Sequence, residues 1–142
     1  MNFRVFFAIT QAWHFRRQLK PYLYNSNLQL ENIRDINPTY LADAKVKALV
    51  LDYDGVLAAH GEIQPRPEII SWLRLLVQAY APHKIYILSN KPTPDRLEYF
   101  AQYFPTIDFV VAPRKKPYPD GMQEIIKISG LLPSEIMLVD DR

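Results

Sequence analysis

From residue 46 onward the chain alternates short apolar runs with amphipathic stretches of helical length. Val46 to Leu51 is apolar except for Lys47 and closes on Asp52, which predicts a buried strand. Pro65-Arg66-Pro67 then opens a helix, because proline is pre-organised for the first helical turn. Ile69, Ile70, Trp72, Leu73, Leu75, Leu76 and Val77 give that helix a broad apolar face. Lys84 to Leu88 predicts a second strand, ending in Ser89-Asn90. Pro94 to Tyr103 predicts a helix with Leu97, Tyr99, Phe100 and Tyr103 turned inward. Ile107 to Val111 predicts a third strand. A helix from Asp120 or Gly121 to Ser129 follows, with Gly130 as its C-cap. After a turn at Pro133-Ser134-Glu135, Ile136 to Val139 predicts a fourth strand, ending in Asp140-Asp141. Strands alternating with helices specify an α/β domain with a parallel sheet flanked by helices.

The first thirty residues read differently. Arg4, Arg16, Arg17 and Lys20 precede the first acid, Glu31, and aromatic residues are interleaved among them. The expectation is a helix, either packed on the domain with its basic residues in solvent or lying on an anionic membrane surface. A mitochondrial transit peptide shares the basic, acid-poor composition, which makes the mitochondrial matrix the alternative to a cytoplasmic location peripheral to a membrane. The division expected is a basic, aromatic segment over 1–40 and a domain over 41–142.

Composition adds exclusions. The 142 residues are 49% hydrophobic and 23% charged, enough for a packed core and unlike a disordered chain. A net charge of +2 asks for no nucleic-acid partner. Zero cysteines exclude disulfides and thiolate-held metals. With 4 glycines, the chain has no glycine-rich phosphate loop.

In an open parallel sheet, ligands bind at the carboxyl ends of the strands. The predicted strand ends carry Asp52 with Asp54, Ser89 with Asn90, and Asp140 with Asp141, and Arg114-Lys115-Lys116 follows the third strand. Any one of these groups is an ordinary cap or turn. Carboxylates converging on one edge repel unless a cation lies among them, and their oxygens suit Mg²⁺.

Those residues resemble, in order and spacing, the four motifs of the haloacid-dehalogenase-like (HAD) phosphatases. Asp52-Tyr53-Asp54-Gly55-Val56-Leu57 resembles the first, Ser89 the second, Lys116-Pro117 the third, and Leu138-Val139-Asp140-Asp141 the fourth. The resemblance implies a HAD-like Rossmannoid domain and a phosphomonoester hydrolase with Asp52 as nucleophile and Asp54 as general acid and base. It implies phosphate contacts from Ser89, Asn90 and Lys116, and Mg²⁺ held by Asp52, the Asp54 backbone carbonyl and Asp141, with Asp140 assisting. The two acids can divide their roles only if their surroundings push their pKa values apart.

Each gap between motifs, Val56 to Leu88 and Lys91 to Lys115, holds one helix and short loops, so no cap domain is expected. An uncapped site suits a large or surface-held substrate. Together with the basic arm, it is similar to the phosphatidylglycerophosphate phosphatases of bacteria and mitochondria. That similarity implies a membrane-lipid substrate, with peripheral membrane contact through residues 1–30. Gly55-Val56 stands where that group has Asn-Thr, and Asp140 where it has glycine. The alternatives are a soluble phosphometabolite or phosphoprotein as substrate, or a non-catalytic HAD-fold binding module. The chain stops at Arg142, directly after the fourth motif. The expectation there is a domain truncated after the fourth motif strand, with weakened metal binding.

Overall fold

The computed structural model describes residues 3–7, 29–82, 84–116 and 118–141. Strands β1 (Phe3–Phe7) and β2 (Gln29–Leu30) precede a short 3-10 turn at Ile33–Asp35 and helix α1 (Pro38–Asp43). Then come β3 (Ala48–Leu51), α2 (Pro67–Ala79), β4 (Ile85–Leu88), α3 (Pro94–Tyr103), β5 (Ile107–Val110) and α4 (Asp120–Ser129). A second 3-10 turn at Pro133–Glu135 leads into β6 (Ile136–Asp140). The sheet order is β2-β1-β6-β3-β4-β5. β6, β3, β4 and β5 run parallel, as the alternation of strands and helices requires.

Period-two alternation sorts the strand side chains into two cores. Leu49 and Leu51 of β3 face a cluster with Ile69, Trp72, Leu73 and Leu76 of α2 and Phe100 of α3. Ala48 and Val50 face the other side, with Tyr86, Leu88, Val110, Ile136 and Ile125 of α4. Both β3 and β4 are buried along their whole length, as strands covered on both faces must be. Gly130, at φ 66°, ends α4 in the left-handed conformation expected of a C-cap.

The structure corrects two readings of the sequence. Phe3–Phe7 is not helical: it pairs antiparallel with β6, Arg4 opposite Asp140 and Phe7 opposite Met137. Phe-Arg-Val-Phe-Phe is aromatic and β-branched, which favours strand, and it covers an edge that β6 would otherwise leave open. The remaining basic residues of the arm, Arg16, Arg17 and Lys20, lie outside the described residues. Tyr103 is not inward but 55% exposed, because α3 buries the 96/100 stripe instead.

α1 also went unread. It starts where the Asn37 side chain accepts the Tyr40 N–H at 2.9 Å, with Pro38 in the first turn. This region is fastened to the sheet by α2, whose Trp72 indole N–H donates to the Ile36 carbonyl at 2.7 Å. Ile36 is fully buried, so that carbonyl has no water to turn to. Trp72→Phe removes the donor and leaves the acceptor buried. The expected loss is about 2 kcal/mol in urea unfolding at an unchanged m-value. A midpoint equal to that of the wild type would contradict this role for the bond.

Candidate active site

The parallel strands deliver their polar ends to one edge. Asp52 directly follows β3 and is 6% exposed, its N–H donating to the Val139 carbonyl at 3.0 Å. Ser89 and Asn90 directly follow β4, and Asp140 and Asp141 close β6. The loop after β5 brings in Lys116. Its ammonium lies 2.8 Å from Asp52 Oδ1 and 3.1 Å from Asp140 Oδ2. The expected convergence of these residues is therefore what the fold produces.

Each neighbour has a definable task. Asn90 donates through Nδ2 to the Lys116 carbonyl at 3.4 Å and accepts the Lys116 N–H on Oδ1 at 2.7 Å. Its amide thus clamps the loop that aims the lysine. Ser89 Oγ accepts the Lys91 N–H at 3.0 Å, and a hydroxyl used as acceptor still has its hydrogen to donate. Tyr53 packs: it is fully buried, with its ring edge-on to Phe100 and its hydroxyl donating to the Ile63 carbonyl. Burial pushes that phenol up to about 12. His60 sits at the rim with Nε2 3.9 Å from Asp141 Oδ2.

One carboxylate oxygen from each of Asp52, Asp140 and Asp141 lies within 4.8 Å of the others. Three hard, anionic oxygens so close together fit Mg²⁺. Gly55 makes the close approach possible. Its φ of 83° suits glycine, and a Cβ there would collide with the Asp141 carboxylate. Both motif-four acids thus join the cluster, Asp140 against Lys116 and Asp141 against Gly55.

Asp54 sits in a separate arrangement that the sequence reading missed. Arg96 of α3, only 2% exposed, grips it with both arms: Nη2 to Oδ1 at 2.8 Å and Nη1 to Oδ2 at 3.1 Å. The Gly61 N–H adds a bond to Oδ1 at 3.2 Å. The Arg96 hydrogen bond holds the Asp54 carboxyl below its ordinary range. Asp52 is shifted the other way: burial raises it, and Lys116 pulls partly against that. The two pKa values are pushed apart, but in the sense opposite to a resting acid at 54. The resting site therefore holds Asp54 as a carboxylate, ready to accept a proton.

The model of the haloacid dehalogenase-like hydrolases matches residues 4–142, and the chain belongs to that family of hydrolases. Neither the curated proteins nor the solved structures give a match to it.

The Asp54–Arg96 pair has a signed consequence for stability. Its folded pKa lies below an unfolded value of about 3.9, so its contribution is full above that pH. It is lost as pH falls through the folded value. Between about pH 5 and pH 2, urea midpoints of the wild type should fall faster than those of Asp54→Asn. Parallel curves would show that the pair contributes nothing.

Proposed function

We propose that the chain is a Mg²⁺-dependent phosphomonoester hydrolase working through an aspartyl-phosphate on Asp52, and that its substrate is phosphatidylglycerophosphate. The observation that carries this reading is the Asp52 carboxylate, nearly buried at the sheet's carboxyl edge, with the Lys116 ammonium at 2.8 Å and the Asp140 and Asp141 oxygens beside it. Lys116 orients the attacking oxygen and neutralises charge on the transferring group. Ser89 donates its hydroxyl hydrogen to a phosphoryl oxygen. Asp54 rests as a carboxylate and takes the proton of the substrate's phosphate monoanion; an Asp52 oxygen then forms a bond to phosphorus as the bond to the ester oxygen breaks, and Asp54 passes that proton to the departing alcohol. In the second half Asp54 takes a proton from the water that attacks phosphorus, which releases phosphate and restores Asp52, and Asp54 returns to the carboxylate by giving that proton to the departing phosphate. Asp52, Asp140 and Asp141 would hold Mg²⁺, which when bound supplies charge neutralisation at the phosphoryl group.

Two features support a lipid substrate. The described residues between Val56 and Leu88 form only α2 and β4, and those between Lys91 and Lys115 form only α3 and β5, which agrees with an uncapped site. A cleft of about 120 Å³ runs from Ser89 and Lys116 to Arg114, Lys115 and Tyr118. Arg114 is paired with Asp120 at 2.8 Å, and Lys115 adds a cation that suits a leaving group carrying a second phosphate, as this lipid does. On this reading the chain works at a membrane surface, reached through its basic N-terminal segment, on the cytoplasmic side or in the mitochondrial matrix.

The test is phosphate release from phosphatidylglycerophosphate in mixed micelles, with Mg²⁺ or EDTA, beside p-nitrophenyl phosphate and an Asp52→Asn control. The expected result is Mg²⁺-dependent turnover favouring the lipid, lowered about 10³-fold or more by Asp52→Asn. Turnover of soluble esters alone would leave the chemistry and discard the lipid. Turnover that survives in Asp52→Asn would discard the chemistry.

A further inference from the structure

Arg96 has no part in the chemistry set out above, yet among the described residues it is the largest side chain that is fully buried. Its donors reach three segments. Nε and Nη2 donate to the Glu62 carbonyl at 3.1 and 2.8 Å, and Nη1 donates to the Lys91 carbonyl at 3.2 Å. Nη1 and Nη2 together hold both oxygens of Asp54. The guanidinium also lies 4.0 Å over the Tyr53 ring, between the two motif-one aspartates in sequence. Lys91 follows Ser89 by two residues and is bonded to it. One buried cation thus joins the motif-one loop, the loop behind it and the loop that carries Ser89.

Stability alone is a weak reason for this arrangement. A buried ion pair is often no better for the fold than apolar groups of the same volume. What an apolar group cannot do is hold a carboxylate by two oxygens in one orientation, and a lysine, as a point charge, cannot do it either. We propose that Arg96 is a positioning residue for proton transfer: it fixes the Asp54 carboxylate so that Oδ2 exchanges the proton with the leaving alcohol and then with water. The choice of oxygen follows from the donors. Among the described residues, Oδ1 accepts from Arg96 Nη2 and from the Gly61 N–H, whereas Oδ2 accepts from Arg96 Nη1 alone. Oδ2 therefore keeps a lone pair for the moving proton. Oδ2 takes up the proton of the substrate's phosphate monoanion and passes it to the ester oxygen in the first half, and in the second a proton of the attacking water comes to Oδ2 and leaves with the phosphate.

The inference rests on the phosphatase reading, and the experiment separates the two. Single-turnover release of the leaving group is followed by rapid quench for two esters. One is p-nitrophenyl phosphate, whose phenolate leaves without a proton. The other is an alkyl phosphate, whose alcohol needs one: phosphatidylglycerophosphate, or glycerol 3-phosphate if the lipid is not turned over. Arg96→Lys should slow alcohol release about 10²-fold or more while slowing the nitrophenolate burst less than about fivefold. Asp54→Asn should show the same split, and the double variant should be no slower than Asp54→Asn alone.

Equal losses on both esters, additive losses in the double variant, or no loss would overturn the proposal. So would failure of both Arg96→Lys and Arg96→Met to melt cooperatively, since Arg96 would then serve the fold. If the wild type releases neither leaving group, or Asp52→Asn releases both at the wild-type rate, the phosphatase reading fails and the inference fails with it.

Discussion

Carboxylates of Asp52, Asp140 and Asp141 crowd one end of the sheet, and their mutual repulsion is the constraint that the surrounding structure answers. Lys116 answers most of it, with its ammonium between Asp52 and Asp140. The lysine is held to that task by its own backbone, clamped at N–H and carbonyl by Asn90. Gly55 answers another part, because only a residue without Cβ lets the Asp141 carboxylate come so close to the motif-one loop. A divalent cation would complete the answer, since three such oxygens form a hard, anionic donor set. The same crowding that costs stability makes the edge suited to holding a divalent cation.

The second acid of motif one is kept out of this crowd. Asp54 turns to Arg96, and Arg96 ties it to α3 and to the loop that follows Ser89. Two acids two residues apart thereby have opposite surroundings: burial raises Asp52, and a buried guanidinium lowers Asp54. Separated environments are what allow one carboxylate to attack and another to handle protons. The framework behind both is the doubly covered sheet, whose buried β3 and β4 fix where Asp52 and Ser89 emerge.

Much of this was legible in the sequence. Apolar runs ending in Asp52, Ser89-Asn90 and Asp140-Asp141 placed the site at one edge, because parallel strands share a direction. Pro94 and Gly130 marked the start of α3 and the end of α4 through their backbone preferences. Arg96 was not legible, because helical periodicity is read from apolar positions and a charge on the inner stripe looks like a solvent residue. The same cause misplaced Tyr103: with Arg96 and Phe100 on the buried stripe of α3, position 103 turns outward. The clamp made by Asn90 depends on a contact across 26 residues, which no local pattern announces. Phe3–Phe7 was read with the basic residues that follow it, yet its partner β6 lies at the far end of the chain. His60 joins the rim of the site only because the loop beyond Gly55 folds back on Asp141.

Everything in this account turns on Asp52 as the group that takes the phosphoryl. Quenching the enzyme during turnover and reducing it with borohydride converts an acyl phosphate to homoserine, which peptide mass spectrometry can locate. The account requires homoserine at position 52, formed only with substrate and Mg²⁺ present. Continued phosphate release with Asp52 unmodified, and homoserine absent or at another acid, would contradict it.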